Sequence, residues 1–247
     1  MTMMKRMIIA GIALTALGAC NPTSANNATA ISAPVAAVAP PAGTDWMTTV
    51  VATPEGGYRM GNPNAPIKLI EYASLTCPHC AAFSQESSEA LKSKYVASGK
   101  VSYEFRSYLL HGQDLMATML VQCGGPEPFF PIIEATYKQQ QDWLGKLIAL
   151  PPAEQQRLQA LPVAAQTSAL ATASGLDQLV AMRGVPKDTI AQCLTDPKKP
   201  EKLLKVRDDA NTKYNIPGTP TFIINGNVVP NVAGWKELEP ELRAAGA

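Results

Sequence analysis

Two cysteines separated by two residues are the part of this 247-residue sequence best suited to chemistry. They occur in Cys77-Pro78-His79-Cys80, after an apolar run and at a predicted helix start. Cysteines at this spacing can close a small disulfide ring. A thiolate at a helix N-terminus is stabilised by free backbone N–H groups and by the helix dipole. His79 can add positive charge or a hydrogen bond when the thiolate forms. The motif therefore predicts dithiol–disulfide exchange.

The segments on either side of the motif predict a βαβ unit. Residues 67–72 form a short apolar run bounded by turn residues, which is typical of a buried strand. A helix is then expected from Cys77 or its neighbour, with Pro78 in the first turn, and it should end at Ser98-Gly99. Residues 101–105 alternate apolar and polar side chains and predict the next strand. Two such strands joined by a helix are expected to be parallel, with a right-handed crossover.

The remaining sequence predicts a long helical insert followed by a return to the sheet. Residues 113–214 have helical patterns interrupted by prolines. Residues 221–224 are β-branched and apolar, and Asn225-Gly226 is a strong hairpin signal. Residues 235–245 predict a closing helix. The expected fold is therefore α/β, in the order βαβ, helical insert, ββα.

The order of these motifs resembles the DsbA type of thioredoxin-fold protein. Cys77-Pro78-His79-Cys80 follows a strand, and Gly218-Thr219-Pro220-Thr221 precedes the terminal hairpin, as in that family. The resemblance covers residues 61–247 and implies a thioredoxin fold with a large helical insertion. It further implies a thiol:disulfide oxidoreductase that introduces disulfides into exported proteins.

Several site roles follow from the resemblance. Cys77 would be the exposed sulfur that is attacked and that attacks, and Cys80 its more buried partner. Pro220 would be the family's cis-proline, beside which Thr219 offers backbone hydrogen bonds to an extended substrate; an ordinary trans turn proline is the alternative.

Glu71, six residues before the motif, matches a carboxyl group that lies beneath the active site in relatives. There it assists proton transfer to the inner cysteine. The alternative is a surface carboxylate at a strand end. Lys100 is a candidate partner for Glu71 on a weaker match, and His111 is expected to cap or border a loop.

Three further cysteines complete the count. Cys123 and Cys193 would form a structural disulfide in an oxidising compartment, or remain two separate buried thiols. Cys20 ends Leu17-Gly18-Ala19-Cys20, which resembles the lipobox of bacterial lipoproteins and implies a lipid on Cys20. The alternative is ordinary cleavage nearby, which would remove Cys20 with the signal.

The N-terminus predicts export. Lys5 and Arg6 precede the apolar residues 7–17, a run too short for a stable membrane span but suited to a signal-peptide core. Residues 1–19 are therefore expected to be a lipoprotein-type signal peptide. Residues 20–60 are expected to be a flexible tether and lead-in, since residues 21–43 are rich in Ala, Pro, Ser, Thr and Asn. Residues 61–247 are then the folded domain.

Composition mainly excludes partners. A net charge of +1 gives no electrostatic case for nucleic acid, and 6% aromatic residues argue against a stacking platform for single strands. A zinc site would need a second ligand pair, yet His111 is the only histidine outside the motif, so no metal or other cofactor is expected.

The predicted protein is a monomeric periplasmic enzyme, held to a cell-envelope membrane by its lipid. Its partners would be unfolded or reduced exported proteins, together with a membrane reoxidant of the DsbB type that only the resemblance implies. A disulfide isomerase or reductase is the nearest alternative. A periplasmic holdase or a copper carrier using the two thiols comes from a different functional class.

Overall fold

The computed structural model describes residues 33–247, and their strands form one mixed, six-stranded sheet in the order β1-β2-β4-β3-β5-β6. The strands are β1 (Val50–Ala52), β2 (Tyr58–Met60), β3 (Ile67–Ala73), β4 (Val101–Ser107), β5 (Thr221–Ile224) and β6 (Asn227–Val228). β3 and β4 run parallel, while the other neighbouring pairs are antiparallel. Asn225 and Gly226 both have positive φ angles between β5 and β6, as a type I′ hairpin turn requires.

The helices fall into two groups around this sheet. α1 (Pro78–Ala90) continues into a π-helical segment (Leu91–Val96) that connects to β4, and α10 (Trp235–Ala244) closes the chain. The insert between β4 and β5 is entirely helical, with α2 (Gly112–Val121), α3 (Phe129–Lys138), α4 (Gln140–Ile148), α5 (Pro152–Gln159), α6 (Val163–Ser174), α7 (Leu176–Met182), α8 (Lys187–Thr195) and α9 (Lys199–Tyr214). The predicted α/β thioredoxin fold with a large helical insertion is confirmed.

The alternation of side chains along β3 determines what lies beneath α1. Ile67 and Leu69 point to one face and join a buried apolar cluster with Phe83 of α1 and Phe222 of β5. Since every second residue of a strand faces the same side, Glu71 shares this buried face with Ile67 and Leu69. The strand that leads to the cysteine motif thus carries a carboxyl group into the core.

The ordered domain begins before the predicted boundary at residue 61. β1 and β2 extend the sheet beyond β4, and Tyr58 of β2 stacks on Phe129 with ring centroids 3.9 Å apart. Each strand has only three residues, too few to give a recognisable alternating pattern.

The part of the predicted tether from residue 33 onward runs against the domain. The Val35 N–H donates to the Gly246 carbonyl, and the Val38 N–H donates to the Ser98 carbonyl. Gly99 has a φ of +70°, and a Cβ there would lie 2.2 Å from the Val38 carbonyl oxygen. The chain can pass this closely only because residue 99 is glycine. The predicted signal peptide and lipid site, residues 1–20, lie outside the described residues.

Cys123 and Cys193 are joined by a disulfide that closes a loop across the insert, with a sequence separation of 70 residues. Cys123 follows α2 and Cys193 lies in α8, so the bond ties the first part of the insert to its distal half. Among residues 33–247, no helix is both long enough and apolar enough to cross a membrane.

Replacing both Cys123 and Cys193 with alanine should lower the free energy of unfolding. For a loop of this length, the chain-entropy account of disulfides gives about 4 kcal/mol, and native disulfides commonly contribute about 2–5 kcal/mol. Denaturant unfolding of the two proteins measures the difference. Wild type unfolded under strong reductant is the matched control and should approach the variant; equal stabilities of variant and non-reduced wild type would contradict the prediction.

Candidate active site

Cys77 lies immediately before the first residue of α1. β3 ends at Ala73, residues 74–77 form a short loop, and α1 begins at Pro78. Cys77 has an extended backbone (φ −79°, ψ 121°), and its carbonyl accepts a hydrogen bond from the Ala81 N–H. Pro78 lacks an N–H at a helix position where that group would have no partner within the helix. The sulfur is therefore attached at the end of α1 that offers free N–H donors.

The pKa of Cys77 is lowered from 9.0 to about 5 by these surroundings. The largest cause is a hydrogen bond from the Cys80 thiol, and the side chain of Thr219 and the backbone N–H groups of Cys80 and His79 add to it. Burial opposes the shift, because it disfavours the charged sulfur. His79 thus contributes through its backbone N–H, while its side chain is exposed.

Thr219 and Pro220 lie against Cys77 from the other side of the site. The Thr219–Pro220 peptide bond is cis, as the resemblance implies. The Cys77 thiol donates to the Thr219 carbonyl oxygen over 3.1 Å. The Thr219 hydroxyl is buried and has no hydrogen-bond partner while Cys77 keeps its proton. When Cys77 loses its proton it can no longer donate to that carbonyl, and the Thr219 hydroxyl is then a donor available to the sulfur.

The sequence interpretation that Cys77 is exposed is wrong. Only 4% of the residue is accessible, whereas Pro78 and His79 beside it are exposed. The Thr219 carbonyl contacts the Cys77 sulfur on one side, and Gln140 of the insert contacts the Cys77 carbonyl on the other.

Cys80 is fully buried and has the opposite acidity. Burial raises its pKa well above 9.0, and the hydrogen bond it donates to Cys77 raises the pKa further. Nearby negative charge on Glu71 or Cys77 acts in the same direction. Both cysteines are free thiols in this structure. Of the two sulfurs, Cys77 therefore ionises readily and Cys80 retains its proton.

Glu71 lies in the core below the motif and is only 1% exposed, so the alternative of a surface carboxylate is excluded. Burial raises the pKa of Glu71 from 4.5 to about 8; a hydrogen bond from the Tyr103 hydroxyl lowers it, and negative charge on Cys77 raises it again. Lys100 is not its partner. Lys100 precedes Val101, which pairs with Ile67, whereas Glu71 pairs with Phe105 near the other end of β4.

A small cavity with both polar and apolar lining residues adjoins Glu71. Its volume is about 20 Å³, enough for one water molecule. The Oε1 atom of Glu71 is buried and has no protein partner, although Oε2 accepts from Tyr103. Polar side chains line much of the cavity, among them Ser84, Ser87, Ser88, Lys92, Tyr103 and Glu134. Lys92 and Glu134 form a partly exposed ion pair beside the cavity, with the Lys92 Nζ atom 2.8 Å from the Glu134 Oε1 atom. The buried carboxyl group thus adjoins a cavity whose lining includes a partly exposed ion pair.

The helical insert holds the loop before Cys77 through a buried carboxylate that sequence reasoning missed. Asp114 of α2 accepts hydrogen bonds from the Ser74 hydroxyl and from both the N–H and the hydroxyl of Thr76, at 2.9–3.0 Å. The N–H groups of Leu110 and His111 also donate to it. His111 precedes α2, where its Nδ1 lies 2.8 Å from the Thr76 hydroxyl oxygen.

Comparisons with known proteins agree with this geometry. A family model described as thioredoxin matches residues 53–242. A crystal structure of a protein-disulfide isomerase from Novosphingobium aromaticivorans superposes with a TM-score of 0.71 at 32% identity, covering 76% of this chain and 96% of that chain. For the α-DsbA1 structure from Wolbachia pipientis the TM-score is 0.62 at 25% identity, with coverages of 79% and 94%.

A curated relative from Rickettsia felis is 32% identical over 173 residues, or 68% of this chain, and is named provisionally as a protein-disulfide oxidoreductase. The chain spans about half (52%) the length of that relative. The family match covers most of the described domain, including β3, the cysteine motif, the insert and the cis-proline. The chain therefore belongs to the thioredoxin family, in its DsbA-like form with a helical insertion.

Proposed function

We propose that this protein is a thiol:disulfide oxidoreductase that introduces disulfides into exported proteins through Cys77 and Cys80. One observation carries the proposal: two thiols separated by two residues meet at the start of α1, where hydrogen bonds lower the pKa of Cys77 and burial raises the pKa of Cys80. Because stabilising the Cys77 thiolate stabilises the reduced protein, electrons flow from client dithiols into this pair.

The reaction balances as two successive exchanges. In the oxidised protein, a client thiolate attacks the Cys77 sulfur, the Cys77–Cys80 bond breaks, and Cys80 leaves and takes up a proton. A second client thiolate then attacks the client sulfur of this mixed disulfide. The client disulfide forms and Cys77 leaves as a thiolate. Two electrons pass from the client to the protein, and the low pKa of Cys77 makes it the better leaving group in the second step.

Glu71 would supply the proton that Cys80 takes up. Its carboxyl group lies under the motif, contributes to the pKa of Cys80, and adjoins a cavity large enough for one water molecule, through which it would be reprotonated. This role requires that Glu71 still carry its proton near neutral pH, which agrees with a pKa of about 8.

The Thr219 carbonyl would bind the client backbone. In the reduced protein it accepts a hydrogen bond from the Cys77 thiol. Once Cys77 is in a disulfide it has no proton to donate, so the carbonyl becomes free for a client N–H. Pro220 is buried beside it and holds this segment next to the sulfur.

Disulfide isomerisation is the alternative that a specific observation favours, because the Novosphingobium structure is named as a protein-disulfide isomerase. An isomerase uses the same Cys77 thiolate to attack wrong disulfides and must be kept reduced. The low pKa of Cys77 supports oxidation instead, since a strongly stabilised thiolate is a weak reductant.

Export and attachment extend the proposal to residues outside the described part of the chain. The N-terminal sequence supports a lipoprotein signal with a lipid on Cys20, which would place a monomeric enzyme at a membrane of the bacterial periplasm. Reoxidation would then fall to a membrane protein of the DsbB type.

Substituting His79 with proline should raise the pKa of Cys77 by about one unit, because proline removes the backbone N–H that stabilises the thiolate. His79→Ala is the matched control: it keeps the N–H and removes only the exposed ring, so its effect should be smaller. The ultraviolet absorbance of the thiolate, followed against pH in the reduced proteins, gives both values. A Cys77 pKa in His79→Pro equal to that of wild type would refute the assigned role of this N–H.

Substituting Glu71 with glutamine should change how stability depends on pH in the oxidised protein, where neither active-site cysteine titrates. Burial is the largest cause of the raised pKa of Glu71 and does not depend on charge at Cys77. Between pH 4.5 and the raised folded-state pKa, unfolded wild type has therefore lost the Glu71 proton that the folded protein retains. Wild-type stability should therefore contain a component that falls as pH rises through this range, by a few kcal/mol in all. Glu71→Gln should lack that component.

Denaturant unfolding at several pH values measures this difference. Glu86→Gln is the matched control, because Glu86 is exposed on α1 and its substitution should leave the slope as in wild type. Parallel pH profiles for wild type and Glu71→Gln would show that Glu71 ionises normally and cannot hold the proton.

The oxidised protein should oxidise a reduced two-cysteine peptide stoichiometrically, and Cys77→Ser should abolish this. Cys80→Ser cannot form the Cys77–Cys80 disulfide and should also fail to oxidise the reduced peptide. Mixed instead with the peptide in its disulfide form, its Cys77 thiolate should attack that disulfide, release one peptide thiol and retain the other peptide sulfur in a mixed disulfide, because the inner thiol that would displace the peptide is missing. Thiol quantification and mass spectrometry measure both results.

Rescue of scrambled ribonuclease without peptide oxidation would instead assign isomerase activity. A Cys77→Ser protein that still prevents aggregation would indicate a holdase, and loss of copper binding in that variant would indicate a carrier.

A further inference from the structure

We infer that Tyr137 and Gln140, at the junction of α3 and α4, are positioning residues that set the acidity of Cys77. The inference rests on the proposed function, since it concerns how the same thiolate is stabilised. Neither residue belongs to the cysteine motif or to the cis-proline segment. Both donate side-chain hydrogen bonds to backbone carbonyl groups of the loop that carries Cys77.

Gln140 makes the central contacts. Its side-chain Nε2 donates to the Leu75 carbonyl oxygen at 2.8 Å and to the Cys77 carbonyl oxygen at 2.9 Å. The residue is 6% exposed, so these bonds face little competition from water. Both N–H bonds of one primary amide are thereby used on the active-site loop.

Tyr137 adds a third bond one helical turn earlier. Its hydroxyl donates to the Ser74 carbonyl oxygen at 3.1 Å and is completely buried. The same Ser74 carbonyl accepts a hydrogen bond from the Cys77 N–H at 3.2 Å. The insert therefore restrains the loop at both ends of the Cys77 backbone.

This restraint bears on the sulfur through the Cys77 backbone angles. The N–H of Cys77 is held by Ser74, while its carbonyl is held by Gln140 and by the Ala81 N–H. With both peptide groups fixed, the Cα–Cβ bond has one direction relative to α1. The N–H groups of His79 and Cys80 lower the Cys77 pKa only while the sulfur points at them. Without Gln140 the Cys77 carbonyl keeps only the Ala81 bond and the Leu75 carbonyl loses its Gln140 bond, so the loop is held less firmly and the sulfur spends less time in reach of these donors.

Gln140→Met tests the inference, because methionine has a similar length but no donor. It should raise the pKa of Cys77 by about one unit, and one pKa unit corresponds to about a tenfold smaller equilibrium constant for client oxidation at neutral pH. Gln141→Ala is the matched control, since Gln141 is the exposed neighbour in the same helix. Thiolate titration and redox equilibrium with glutathione are measured on wild type and both variants.

A second variant covers the case in which Gln140→Met does not fold. Tyr137→Phe removes a single hydroxyl and should raise the Cys77 pKa in the same direction by a smaller amount. Unchanged Cys77 pKa values in the folded variants, beside an acidic and active wild type, would overturn the inference alone. A wild-type Cys77 that titrates as an ordinary thiol, or fails to oxidise the peptide, would overturn the proposed function instead.

Discussion

The hydrogen bonds that reach the Cys77 sulfur are the interaction on which the rest of this site depends. The thiol of Cys80 and the side chain of Thr219 supply two of them, and backbone N–H groups of His79 and Cys80 supply the others. Those backbone donors are available because N–H groups at a helix start lack partners within the helix. β3 ends just before this point, and Pro78 begins α1 at a position where a backbone N–H would have no partner within the helix. Cys80, one turn further along α1, donates a hydrogen bond from its thiol to Cys77. The Thr219–Pro220 segment closes the site from the β5 side. Each element can be understood by what it contributes to one sulfur.

The same arrangement places the negative charge on one group of the site and the protons on two others. A negative Cys77 raises the pKa of Glu71, and negative charge on either group raises the pKa of Cys80. These three groups share one small region of low polarity, so they cannot all be ionised together. Near neutral pH the charge rests on Cys77, where donors converge, while Cys80 and Glu71 hold protons in the core. This division suits a reaction in which one sulfur leaves as a thiolate and the other as a thiol.

Sequence patterns predicted the elements whose signals are local. The apolar run of β3, Pro78 after the first cysteine and Asn225-Gly226 each specify a structure within a few residues. β1 and β2 were not predicted, because strands of three residues are too short to show an alternating pattern. The burial of Cys77 was not predicted, because the groups that contact it come from residues 140 and 219. The roles of Gln140 and Asp114 were not predicted for the same reason, since both contact a loop that is distant in the sequence. From sequence alone, a polar residue in a predicted helix is assigned to the solvent-exposed face, and only the fold shows that it contacts a distant loop.

The fold by itself does not decide the direction of the chemistry. The superposable structures include a protein named as an isomerase and others named as DsbA-type proteins, so one architecture serves both. The stability of the outer thiolate is one property that sets the direction of exchange, and we infer that the insert contributes to it here. Asp114 fixes Thr76, directly before Cys77, and Gln140 fixes the Cys77 carbonyl, yet both lie outside the four-residue motif. An insertion that contacts the loop in this way can alter the acidity of Cys77 without any change to Cys-Pro-His-Cys. The redox character of such a site therefore has to be derived from the groups packed against the motif as well as from the motif.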